Sequence, residues 1–129
     1  MADLPLLDPS ALLALAQQAD VATPCPACAP LQHPGWDSLP STFEPERLRP
    51  TATLREAEVD EPTLEEHHPH GTHQWSDDAP IAPSFHPYNR CEVWQCRRCT
   101  RAFLRYTEYG GYYEDERVRW LNPALITPI

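Results

Sequence analysis

EVWQCRRCTRAFLRYTEYGGYYEDERVRW, residues Glu92–Trp120, decides how this chain folds. Its middle, Ala102–Tyr109, alternates and is rich in aromatic and β-favouring residues; Gly110-Gly111 follows as a turn signal, and Tyr112–Trp120 returns. That pattern predicts a β-hairpin. Just upstream, Glu92–Gln95 reads as a strand leading into Cys96-Arg97-Arg98-Cys99. Alternation puts Phe103, Arg105, Thr107 and Tyr109 on one face of the hairpin and Leu104, Tyr106 and Glu108 on the other. Neither face is purely basic, so the hairpin reads as structural, its aromatics building a core and its arginines pairing with local acids such as Glu108, Glu114, Asp115 and Glu116.

Cys96-x-x-Cys99 has a counterpart far upstream in Cys25-Pro26-Ala27-Cys28. A two-residue spacer lets both sulfurs of one turn face a single tetrahedral ion, and the amides of the turn stabilise the thiolates. Two such knuckles complete a four-cysteine set, which suits Zn2+ and leaves no open position. Arg97 and Arg98 temper the negative charge of such a site. Five cysteines is an odd number, and in a reducing compartment the two pairs read as metal ligands rather than disulfides. A redox C-x-x-C needs a thioredoxin-like βαβ pattern, which is missing; iron of the rubredoxin type uses the same four ligands. Cys91 is left over and reads as a buried thiol at the start of a strand, with ligand replacement or redox sensitivity as the other readings.

The two knuckles, the second followed by a strand and hairpin, resemble those of zinc-ribbon and rubredoxin-like four-cysteine proteins over residues 23–30 and 90–120. The resemblance implies a zinc-ribbon-like β core around a structural Zn2+ held by Cys25, Cys28, Cys96 and Cys99. The sequence departs from a compact ribbon in placing 67 residues between Cys28 and Cys96. The expected fold is therefore a small α+β domain spanning 1–129. It has an N-terminal helix over 8–20, the first knuckle at 23–30, a long proline-rich acidic insertion over 31–89, and the second knuckle with its hairpin over 90–120.

The remaining segments fill in this plan. Asp8 can cap a helix with Pro9 at its first position, and Leu12, Leu13, Leu15 and Ala16 form an apolar side to pack on the β core. Thr51–Arg55 reads as a short strand, Glu56–Glu66 as a solvated acidic stretch and Asp77–Pro87 as loop. The apolar tail Leu121–Ile129 is expected to lie across the core. Sixteen prolines in 129 residues, 41% hydrophobic content and a mean hydropathy of −0.55 bound that core to a modest size, where a metal staple is useful. The chain lacks a basic leader and a long apolar run, which reads as a cytoplasmic protein with no membrane association. All ten basic residues are arginine, which fits a GC-rich, bacterial genome and removes lysine Schiff-base and P-loop chemistry.

Charge separates the candidate functions. The net charge is −9, with −11 over residues 1–89, +4 over 90–105 and −2 over 106–129. A chain this acidic is repelled by bulk nucleic acid, and its acidic face suits a basic protein partner. The aromatic turn at Tyr109, Tyr112 and Tyr113, with Arg97 and Arg98 on the knuckle, is the expected interface. The first reading is accordingly a non-catalytic adaptor or immunity-type module with structural zinc. Two alternatives carry specific residues. Arg97, Arg98, Arg101 and Arg105 interleaved with Trp94, Phe103, Tyr106 and Tyr109 compose a nucleic-acid-binding ribbon. His67, His68, His70 and His73 read first as a polar loop whose histidines make ordinary hydrogen bonds, with a second metal site as the other reading. Glu66-His67-His68, lying between two knuckles and followed by Asn89, resembles the layout of HNH nucleases; the resemblance implies His67 as metal ligand, His68 as general base and Asn89 as the orienting residue. Against that family, Thr100-Arg101 follows the second knuckle where a histidine is usual. Pro69 and Gly71 also prevent the four histidines from sharing one helical face. No serine sits in an activating motif.

Overall fold

A computed structural model describes residues 4–19, 25–31 and 33–128. The chain is α+β: one helix and a five-stranded antiparallel sheet. Helix α1 spans Pro9–Gln18; the Asp8 carboxylate accepts from the Ala11 amide at 2.7 Å, and Pro9 occupies the first position, where its missing donor costs nothing. Leu12 and Ala16 are buried, Leu15 packs beside them and Leu13 is half-buried. The helix ends at Gln18; Asp20, where the sequence placed its end, lies outside the described residues.

The strands are β1 (Asp37–Ser38), β2 (Leu48–Thr53), β3 (Glu92–Cys96), β4 (Ala102–Tyr109) and β5 (Glu114–Trp120), in the spatial order β1-β5-β4-β3-β2. The β4–β5 hairpin runs in register from Phe103 opposite Trp120 to Tyr109 opposite Glu114. Its connection is longer than the two glycines, because the Gly110 amide bonds the Tyr113 carbonyl and the second strand starts at Glu114 rather than Tyr112. The Tyr113 ring lies where a Cβ on Gly110 would stand, with ring atoms 2.2–2.7 Å from that point, so glycine makes the close approach possible. Strands β3 and β4 are joined by the second knuckle, with Gln95 opposite Ala102.

Residues 31–89 are not merely an irregular insertion, because they supply both edge strands. Strand β2 starts three residues before the expected Thr51 and breaks register between Pro50 and Ala52, where the proline has no amide to donate. Strand β1 is two residues long and pairs with Val118 and Arg117. A two-residue strand in a polar context carries no periodicity, which is why it is invisible in the sequence.

Both faces of the sheet are used. One face, carrying Ala52, Val93, Leu104 and Tyr106, is covered by α1, Trp36, Ile81, Tyr88 and Leu121. The tail does lie across this core: Ile81 bridges Ile126, its amide bonding Leu125 and its carbonyl receiving Thr127. The other face packs Leu48, Phe103 and Val118 against Leu31, Phe43 and the cysteine knuckles.

Arg119 is the anchor of the long connection. It is 1% exposed, and among the described residues none of its hydrogen-bond partners is a carboxylate. Its guanidinium donates to the carbonyls of Pro34 (3.0 Å), Ala79 (2.8 Å) and Asp77 (3.3 Å), and to the Tyr88 hydroxyl. Carbonyl dipoles, not an acid, balance this buried charge, and they come from both ends of the connection. Removing the guanidinium orphans several of these acceptors at once. Arg119→Ala is expected to destabilise the protein by about 3 kcal/mol or more in urea unfolding, with Arg119→Lys intermediate because an ammonium cannot span all four acceptors.

Candidate metal centre

The first knuckle is a tight turn, with the Cys28 amide on the Cys25 carbonyl at 3.2 Å, followed by the short helical turn Ala29–Leu31. The second opens at the end of β3. Its Thr100 takes a left-handed conformation (φ 67°), which swings the chain round so that the Cys96 amide meets the Arg101 carbonyl and the Thr100 amide meets the Cys96 carbonyl, both at 2.9 Å. The Gln95 side chain holds the Thr100 carbonyl at 2.9 Å. A β-branched residue at positive φ is strained.

Between the knuckles the sulfurs interlock. Cys25 and Cys96 approach to 3.5 Å, Cys28 and Cys99 to 3.5 Å, and Cys25 and Cys28 to 3.8 Å, with all four sulfurs within 4.8 Å of one another. Zn–S bonds of ~2.3 Å in a tetrahedron set the sulfurs ~3.8 Å apart, so the separations fit one tetrahedral ion. Four soft sulfur donors and no oxygen or nitrogen suit a thiophilic metal. Cys28 and Cys96 are buried; Cys25 and Cys99 are half-buried. These four cysteines could hold a metal ion, and they are the one group of three or more ligand side chains gathered this way among the described residues.

Without a cation, Cys25, Cys28 and Cys96 do not titrate alike. Burial raises the Cys25 thiol, but hydrogen bonds from the Cys28 amide, the Cys96 side chain and the Ala27 amide outweigh it, and its pKa falls to about 6. Burial pushes Cys28 well up, reinforced by its cysteine neighbours, and burial likewise raises Cys96 against the amides of Cys99 and Arg98. A bound metal must therefore displace protons that the folded pocket otherwise retains.

Arg47 ties the two knuckles together. Its Nη1 donates to the Ala27 carbonyl at 3.3 Å, while its own carbonyl accepts from the Arg97 amide at 2.9 Å. Its guanidinium also lies over Phe43. No sequence signal marked this residue, because both roles depend on the pairing of strands that are distant in the chain. Arg101 sits over the Trp120 ring at 4.3 Å, and Arg97 and Arg98 are exposed.

The histidines are not assembled into a second ligand set. His67 stacks on Phe85; His68 is held at both ring nitrogens, by Glu66 at 2.7 Å and Thr72 at 2.8 Å; His73 meets the Trp75 amide through Nδ1; and His70 is exposed. Asn89 is turned to the Thr63 carbonyl at 2.9 Å. The nuclease arrangement of His67, His68 and Asn89 thus has no shared focus, because the Pro69 and Gly71 turn separates the rings and local partners occupy them. Cys91 is fully buried in the other core, where its thiol donates to the Pro87 carbonyl at 3.2 Å and burial keeps its pKa high. Tyr109, Tyr112 and Tyr113 are exposed at the hairpin end, as the turn signal implied. No protein-family model, no curated protein and no solved structure matches the chain. Among the described residues no helix is long and apolar enough to cross a membrane.

Two outcomes follow for the site. In metal-stripped protein at neutral pH, iodoacetamide should label Cys25 first and spare Cys28, Cys91 and Cys96, and zinc should suppress the Cys25 label, as read by peptide mass spectrometry. Thr100→Gly should relieve the left-handed strain and raise the urea midpoint, by about 1 kcal/mol in unfolding free energy.

Proposed function

We propose that the chain is a non-catalytic, cytoplasmic protein-interaction module of the adaptor or immunity type, whose fold is closed by structural Zn2+ on Cys25, Cys28, Cys96 and Cys99. The observation that carries this reading is the all-cysteine donor set, half sunk in a hydrophobic cluster that includes Leu31, Leu48 and Phe103. Catalytic zinc keeps one position for water or substrate, whereas four protein thiolates fill the tetrahedron. The ion would bind where the two ends of the insertion meet, and its binding energy would become folding energy. Four thiolates with one Zn2+ leave a net negative centre, which the neighbouring Arg97 and Arg98 offset.

The partner side of the reading rests on charge. A chain with net charge −9 is set up to meet a cationic protein and to avoid nucleic acid. Chain-wide absence of lysine leaves arginines that are largely engaged within the molecule, through aromatic rings, carbonyls and acids.

Elemental mass spectrometry of protein purified without added metal tests the metal reading. About one zinc per chain is expected, unchanged when His67, His68, His70 and His73 are all replaced by alanine and lost in Cys28→Ser together with near-ultraviolet circular dichroism. Iron in place of zinc would replace the ion in this reading, and a second, histidine-dependent metal would overturn the non-catalytic part of it.

A further inference from the structure

The face of the sheet that holds the knuckles is covered over only half its extent. Around Leu48, Phe103 and Val118 it is roofed by Leu31, Phe43 and the first knuckle. Beyond them, around Trp94, it opens into two grooves of about 620 and 980 Å3. The first runs along Arg105, Thr107, Tyr109 and Glu116; the second reaches Leu4, Leu6, Glu56 and Glu58. Both are lined by Thr53, Arg55, Ala57, Glu92 and Trp94, so they form one trough across the strands.

Chemically the trough has an aromatic floor and an acidic end. Trp94 is half-buried, its indole N–H donates to Glu92 at 3.2 Å, and Arg105 covers one approach to its ring at 4.7 Å while pairing with Glu116. Tyr109 is 73% exposed at one end and Leu6 is 53% exposed at the other. The loop that borders the Leu6 end carries Glu56, Glu58, Asp60 and Glu61, all exposed, while the ion pairs of the described residues lie elsewhere. Arg55 faces this loop but is bound to the backbone carbonyls of Glu56 and Asp60, and so holds the loop's shape while its acids point outward. Four acids in six residues, with the single cation of Arg55 among them, leave the loop net negative, and a cationic ligand relieves the remaining repulsion.

We propose that this trough, from Tyr109 across Trp94 to the Glu56–Glu61 loop, docks an extended arginine- or lysine-bearing segment of a partner protein. The proposal rests on the interaction-module reading and names its surface. The first knuckle, Leu31 and Phe43 already lie as irregular polypeptide on the other half of the same face, so the occupant repeats a mode of coverage the sheet uses. Cationic side chains meet the acidic loop and Glu92, and apolar or aliphatic parts lie on Trp94, Tyr109 and Leu6. Nucleic acid is the disfavoured occupant, since its phosphates would face the acidic loop.

The test uses full-length protein verified to carry its metal, so that loss of docking is separable from loss of the centre. A fluorescein-labelled peptide of alternating arginine and serine is titrated in fluorescence anisotropy, and the four indole N–H signals are followed by NMR in the unlabelled titration. Binding is expected to shift the Trp94 indole and to leave buried Trp36 in place. The variant E56Q/E58Q/D60N/E61Q should weaken binding by about tenfold or more, whereas E46Q/E65Q/D77N/D78N, which removes equal charge elsewhere, should change it by about twofold or less. Equal weakening by the two variants, an unmoved Trp94 signal, or absence of peptide binding would overturn the proposal. So would single-stranded DNA binding more tightly than the peptide.

Discussion

Everything in this fold is arranged around the meeting of two cysteine turns that are 71 positions apart in sequence. Cys25 reaches Cys96, and Cys28 reaches Cys99, across a gap that no covalent bond spans. Chain entropy opposes such a closure, and a small proline-rich domain has little apolar surface with which to oppose it. A tetrahedral ion would answer that problem at one point, because it acts on both ends of the insertion at once. The apolar surroundings of Leu31, Phe43, Leu48, Phe103 and Val118 then do two jobs: they bury the sulfurs and join the knuckles to the sheet.

Arg119 solves the matching problem on the opposite side of the molecule. The 79–88 stretch has almost no regular structure, yet it covers the core face that α1 leaves open. Backbone carbonyls that face inward need donors. A single guanidinium supplies them to Pro34, Asp77 and Ala79 and to Tyr88, and in doing so stitches a loop before the sheet to one in its middle. Arg47 does a lesser version of the same thing between the two knuckles. In a chain whose cations are all arginine, the planar multi-donor head takes over organising work that regular structure does elsewhere.

What the sequence disclosed follows from which signals are local. The helix cap at Asp8, the β4–β5 hairpin, the strand into the second knuckle and the four cysteines were all legible, because each depends on residues within one or two turns of chain. The α+β class followed from them. Strand β1 was not legible, being two residues held by β5, and β2 was legible only in part, because Pro50 and its bulge interrupt the alternation that marks a strand. Arg47 and Arg119 could not be found at all: an arginine in a short helical turn or on a strand looks solvent-facing until the distant carbonyls it serves are in place. The histidines show the opposite case, where a local cluster in sequence is no cluster of ligands in space. Four in seven residues look like a ligand set, yet across the turn at Gly71 His67, His68 and His73 each meet a different neighbour and His70 is exposed.

The edges of the sheet have a consequence for how these molecules behave in a crowd. An open strand edge is a template for another chain, and unprotected edges lead to polymerisation. Strand β2 presents Pro50 and a bulge, and at Thr53 its outer groups are already bonded to Pro5 and Leu7. At the other side β1 is two residues long, the Leu39 amide extends its contact to the Glu116 carbonyl, and exposed Glu114 sets a charge at that end of β5. Among the described residues these features shorten the run of free amides and carbonyls that each margin presents to a neighbour.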